Sequence, residues 1–154
     1  MSSLRVLVDT SVVLRYYAQE DARHSEAVAR LYWLRTQGYI LCVAPQVLYE
    51  AWVVLTRPKA QNGLGKTADE AYALVRQIAD NFTLLPDTED LWRRWAEVCR
   101  QHAVLGRQAH DARFVAWMES HGISRLCTFN PEDFGRYPQV ECVPNTNHVV
   151  RVYQ

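Results

Sequence analysis

Four carboxylates pose the chemical question in this sequence: Asp9, Glu50, Asp111 and Asp133. Asp9 ends the apolar run that starts at Leu4, and Glu50 lies in the second turn of a segment opened by Pro45. Asp111 falls in the first turn of a segment from about Gln108, and Asn130 and Asp133 follow the run Arg125 to Phe129. Carboxylates that converge repel one another and raise each other's pKa unless positive charge offsets them. Magnesium or manganese is the natural counter-charge, because hard cations choose carboxylate, carbonyl and water oxygens. Glu50 is the most pointed of the four, since Val47 and Val54, at i−3 and i+4, put it on an otherwise apolar helix face. Asp111 shares its face with Phe114, Val115 and Met118 and so turns inward. Each acid also has a plainer account: an Asp at a strand end caps the next helix, Glu50 pairs with a buried arginine, and Asp111 complements its helix dipole. Their agreement in place is what singles them out.

That agreement depends on the elements that carry them. Leu4 to Val8 reads as a buried strand, a helix follows through 22–36 with Val28, Leu31 and Leu34 inward, and Tyr39 to Ala44 is a second strand. Pro45 suits the first position of a helix that Pro58 must end. Residues 59–66, KAQNGLGK, read as a flexible loop. Thr67 and Glu70 form a capping box for a helix with Ala71, Leu74, Val75 and Ile78 on its inner face. Phe82 to Leu85 is a short strand or an extended connection. Asp87, Thr88, Glu89 and Asp90 occupy the first turn of a helix with the stripe Leu91, Trp95, Val98 and His102, broken by Gly106. A helix from Gln108 to Ser120, closed by Gly122, leads to a strand from Arg125 to Phe129, and Val140 to Val143 is the last strand. Strands alternating with helices imply a three-layer α/β/α sandwich with a mostly parallel central sheet. In such a sheet the binding crevice lies beyond the carboxyl ends of the strands, where all four acids fall.

The chain has 154 residues, 49% of them hydrophobic and 22% charged, which suits one unit over 1–154 with an ordinary core. No run approaches a membrane span, and the opening MSSLRVLVDTSVVL is too short for a secretory signal, so a cytoplasmic location is expected. Cys42, Cys99, Cys127 and Cys142 form no CxxC pair and read as buried free thiols. The formal net charge is zero, so binding of a polyanion must rest on a local patch. All basic residues except Lys59 and Lys66 are arginine, the side chain that grips phosphate in two-point contact, although a GC-rich coding sequence gives the same bias.

Several weaker signals are set aside. AQNGLGKT approaches a phosphate-binding Walker loop, but Ala60 replaces its first glycine and a helix rather than a strand precedes it. It fits better as a loop rimming the site, with Lys59 and Lys66 towards nucleic acid. Cys99 and His102 lack a second ligand pair, and His110 points away from Asp111 as its neighbour in sequence. Arg93, Arg94, Arg100, Arg107 and Arg113 form either a nucleic-acid patch or a solvated face. Trp33, Trp52, Trp92, Trp95 and Trp117 read as core or subunit-contact residues.

The stretches VLVDTSVVL, PQVLYEAWVVL, AHDARFVAW and LCTFNPEDF together resemble the PIN-domain family, within it the VapC-type toxins of bacterial toxin–antitoxin pairs. They span nearly the whole chain in the family's order. The resemblance implies a Rossmann-related fold, with Asp9, Glu50 and Asp111 binding Mg2+ or Mn2+ and Asp133, helped by Asn130, completing the set. It implies that Ser11 and Thr128 orient those acids. It further implies an endoribonuclease, a small antitoxin protein as partner, and a homodimer. Many members carry an acid where this chain has Asn130, which leaves open whether Asn130 or Asp133 supplies the fourth ligand. The alternative is a PIN fold that binds RNA or protein without cutting. A haloacid dehalogenase phosphatase also opens with Asp after a first strand, but it needs a second Asp where this chain has Ser11.

Overall fold

A computed structural model describes residues 4–144. Five strands, β1 (Arg5–Val8), β2 (Ile40–Val43), β3 (Thr83–Leu84), β4 (Arg125–Cys127) and β5 (Glu141–Cys142), form one sheet in the order β3-β2-β1-β4-β5. Every pairing is parallel. Val6, Leu7 and Val8 are all fully buried although successive residues of a strand point to opposite faces. Both faces of β1 are therefore covered, as the expected three layers require.

Six helices supply the cover: α1 (Thr10–Tyr17), α2 (His24–Thr36), α3 (Pro45–Thr56), α4 (Ala68–Asn81), α5 (Leu91–Gln101) and α6 (Gln108–Ser120). α1 packs on α2 and α3, α3 on α4, and α5 on α6. In α6 the five residues Phe114 to Met118 are all buried, so this helix is enclosed by its neighbours and not merely laid on a surface. Fully burying side chains such as Leu7, Leu31 and Leu126 contributes roughly 2–3 kcal/mol each. Among the described residues no helix is long and apolar enough to cross a membrane, and the four cysteines are free, but only Cys42 and Cys127 are buried as expected, Cys99 and Cys142 being half-buried.

The structure departs from the sequence reading at four places. α1 has no counterpart in that reading, because TSVVLRYY is rich in β-branched and aromatic residues. Asp9 overrides that preference: its side chain accepts from the backbone N–H groups of Ser11 and Val12, while Val12 and Val13 are buried beneath. Residues 59–66 are not a loose loop. A 3-10 turn over Lys59–Gln61 leads into backbone bonds from Leu64 to Val54 (2.9 Å), Gly65 to Arg57 (2.9 Å) and Lys66 to Leu55 (2.7 Å). Finally, Asp87 to Asp90 lie before α5 rather than in its first turn. Asp87 serves Arg113 at 2.8 Å, and Asp90 is occupied by Thr88 and Arg94. Val28, expected inward, is half-buried; Ala27 takes its place beside Leu31 and Leu34.

Candidate metal centre

The chain runs from β1 outward to β2 and β3, then returns to place β4 on the other side of β1. This reversal opens a crevice at the carboxyl ends of β1 and β4. Asp9 and Thr128, the residues that follow those two strands, stand side by side there, joined by Asp9 N–H to the Cys127 carbonyl at 3.1 Å.

Asp9 is 6% exposed. Its Oδ1 accepts from the Ser11 hydroxyl at 2.6 Å and the Ser11 N–H at 3.1 Å, and the Thr128 hydroxyl also donates to its carboxylate. Burial pushes its pKa up, and these hydrogen bonds hold it back only partly. The Ser11 hydroxyl in turn accepts from Phe129 N–H at 3.2 Å, and Thr128 Oγ1 accepts from Asn130 N–H at 3.0 Å. One hydroxyl ladder thus fixes both Asp9 and the segment after β4.

Glu50 is held by neutral groups. Thr10 donates to its Oε1 at 2.6 Å, and Gln46, one helical turn earlier, donates to Oε2 at 2.9 Å. The buried Gln46 is a hub: its amide nitrogen also reaches the His110 carbonyl at 2.9 Å, and its oxygen accepts from Arg113 at 3.0 Å. Arg113 is anchored on Asp87. The arginine nearest Glu50 in this network therefore spends its charge elsewhere.

Asp111 reports on the whole set. Its pKa is pushed up to about 6, first by burial and then by the charges of Asp133, Glu50 and Asp9, with His110 pulling weakly the other way. The four acids, placed at the end of β1, on α3, on α6 and in the 3-10 turn Pro131–Phe134, are thus close enough to disturb one titration. Asp133 is exposed at the open side, and Asn130, also exposed, joins through its backbone. Among the described residues, no three His, Cys, Asp or Glu side chains stand at ligating separations. The donor chemistry nevertheless fits a hard cation: only oxygens converge, their negative charges raise Asp111, and the hydrogen bonds on Asp9 and Glu50 come from neutral partners.

Thr10, Gln46, Arg113 and Asp87 are the contributors that sequence reasoning missed or misplaced. Gln46 was legible as the i−4 neighbour of Glu50. Arg113, read as part of either a nucleic-acid patch or a solvated face, is taken by Asp87 and Gln46, while Arg94 and Arg100 pair with Asp90 and Glu97 on the surface. Nothing local announces Asp87, whose link to Arg113 spans 26 positions.

The sequence profile of the PIN domain matches residues 6–139, a span that holds all four acids and their hydroxyl partners. No curated protein sequence matches significantly. Among solved structures the fold is similar to Mycobacterium tuberculosis VapC20, described as a sarcin-ricin loop cleaving toxin. That pair shares 23% identity at a TM-score of 0.65, covering 86% of this chain and 95% of the other. Rickettsia felis VapBC2, bound to a promoter DNA fragment, gives 11% identity, a TM-score of 0.63 and coverage of 90% and 96%. Mycobacterium tuberculosis VapBC-5, of a toxin–antitoxin family, gives 20%, 0.56, and 92% and 99%. At these identities the likeness establishes the fold.

Proposed function

The chain belongs to the PIN-domain family, and from that premise we propose that it is a divalent-metal-dependent endoribonuclease, the toxin of a toxin–antitoxin pair. The observation that carries the reading is the raised Asp111 carboxyl: three other acids from distant segments act on it at the crevice where an α/β sheet binds its ligands.

Asp9, Glu50 and Asp111 are the residues that would hold magnesium or manganese, with Asp133 at the open side. A cation held there supplies charge to offset the phosphodiester oxygens and to acidify an attacking water. The protein's own part is pre-organisation. Ser11 and Thr128 fix Asp9, while Thr10 and Gln46 fix Glu50, so two carboxylates keep their orientation while substrate enters. Asn130 adds no negative charge, which lessens repulsion of the incoming phosphate. No histidine or serine nucleophile is required.

A cytoplasmic enzyme that forms homodimers and is restrained by a small antitoxin completes the proposal. Tyr49, Trp52 and Val53 support a protein contact, since they lie exposed on one face of α3. The test is cleavage of varied single-stranded RNAs by the full chain with Mg2+ or Mn2+, against Asp9→Asn. RNA should be cut, and the substitution should lower the rate by at least about 100-fold, the upper loss for groups that merely orient a ligand. Equal activity in the two proteins would end the nuclease reading, and RNA bound but uncut would leave a binding module in its place.

A further inference from the structure

Two adjoining hollows, about 360 and 370 Å³, share Leu14, Ala18, Asp21 and Leu64 and make one groove along α1. Its inner end is formed by Thr10 and Ser11, the residues whose hydroxyls hold Glu50 and Asp9. Its outer end is formed by Lys59 and Lys66, and Arg57 lies between. The groove therefore leads away from the residues that hold the acids; its floor is largely apolar, with Leu14, Val54, Leu55, Leu64 and Leu74, and Arg57, Lys59 and Lys66 stand along it.

Arg57 shares with Arg15 and Arg30 a buried Nε that has no hydrogen-bond partner, but unlike them it has no carboxylate beside it, and its one side-chain bond goes to the Asn62 carbonyl at 3.2 Å. Among the described residues Arg57, Lys59 and Lys66 enter no ion pair; the same holds for Arg35, Arg76, Arg93, Arg107 and Arg136, none of which lines this groove. The acids that line the groove are Glu20 and Asp21, and Asp21 has Arg15 at 3.4 Å. The loop that carries these cations is also built for closeness. A Cβ at Gly63 would meet the Arg57 carbonyl oxygen at 1.9 Å, so only glycine lets the loop fold back against Arg57.

We propose that this groove carries the RNA strand away from the acids, with Arg57 gripping a phosphodiester that flanks the scissile one and Lys59 and Lys66 meeting the backbone beyond it. The inference rests on the nuclease reading for the direction of the strand. Continuity with Thr10 and Ser11 favours RNA over an acidic peptide as occupant.

The test is fluorescence anisotropy of a labelled mixed-sequence single-stranded RNA with the full chain in EDTA, across a salt series. Arg57→Gln should weaken binding about tenfold, the loss of one charge-assisted hydrogen bond. It should also flatten the log–log salt slope by about 0.7, and Lys59→Gln with Lys66→Gln by about twice that. Arg57→Lys should fall between, and Arg76→Gln on α4 should bind as wild type. If Arg57→Gln fails to fold, the double lysine variant carries the test. Unchanged affinity and slope in the groove variants would overturn the inference. So would displacement of the RNA by polyglutamate at equal ionic strength, which would mark a protein site instead. Wild type that binds RNA without cutting it sinks the nuclease reading and leaves the groove standing. Wild type that cuts RNA while the groove variants bind unchanged sinks the groove alone.

Discussion

Two clusters of charge lie on either side of the segment Thr128–Asn130, and they are built on opposite terms. On the α2 side, Glu26 sits between Arg23 at 2.9 Å and Arg30 at 2.8 Å, and both guanidinium groups stack on the Phe129 ring, at 3.8 and 4.5 Å from its centre. Arg30, only 7% exposed, also donates to the Thr128 carbonyl at 2.8 Å. The arginines hold the Glu26 carboxyl below its ordinary range. On the other side Asp9 and Glu50 take their hydrogen bonds from neutral groups, Asp111 lies within reach of the charges of Asp133, Glu50 and Asp9, and Asp9 and Asp111 are raised. A carboxylate's role is thus set by its partners: the compensated cluster stabilises the loop, and the uncompensated one costs stability, which a bound cation would offset under the proposed function.

The sharpest way to break this contrast is to damage the compensated side. Arg30→Ala should lower stability by about 3 kcal/mol, because it frees the Thr128 carbonyl, removes a buried charged group stacked on Phe129 and leaves Glu26 with Arg23 alone, and urea melts would read the loss. Gln46→Leu attacks the neutral scaffold of the other cluster. It leaves Arg113 and a Glu50 oxygen short of a partner, and should cost about 2 kcal/mol in the same melts. A smaller effect of opposite sign is expected from Asp111→Asn in EDTA at pH 7.5. Removing a self-repelling charge should raise stability by about 1–2 kcal/mol, after discounting for water around a half-buried group. A fall would mean that Asp111 is structural.

The smallest signal is the pH profile of the metal-free protein. Asp111 is raised from 3.8 to about 6, so its contribution is fully present below about pH 4 and is lost as pH climbs through 6. Glu26 is lowered from 4.5, so its contribution is present above that value and fades as pH falls through its depressed pKa. Asp111→Asn should erase the loss between pH 4 and 6 and leave the acid limb in place. Thermal melts across that range would show it.

Much of this architecture was legible in the sequence. Leu4 to Val8, Pro45 to Pro58 and Gln108 to Ser120 carry strong local signals, a buried run or a proline and glycine boundary, and the Thr67–Glu70 capping box closes as its spacing requires. The four acids could be placed because a parallel sheet has one functional edge. α1 escaped because its β-forming composition is overruled by one cap, and the loop 59–66 because its order comes from bonds to the end of α3. What lay beyond local reading was partnership. Arg30 reaches Thr128 across 98 positions and Gln46 reaches His110 across 64, and no pattern of spacing announces either.

The central claim, that the acids at the carboxyl edge form an uncompensated cation site, is tested most directly by melting the EDTA-treated protein against rising Mn2+. Wild type should gain about 2.7 kcal/mol at a concentration 100 times the dissociation constant, while Asp9→Asn and Asp111→Asn stay flat. A wild type whose melting point ignores Mn2+, or variants that respond as strongly as it does, would contradict the account.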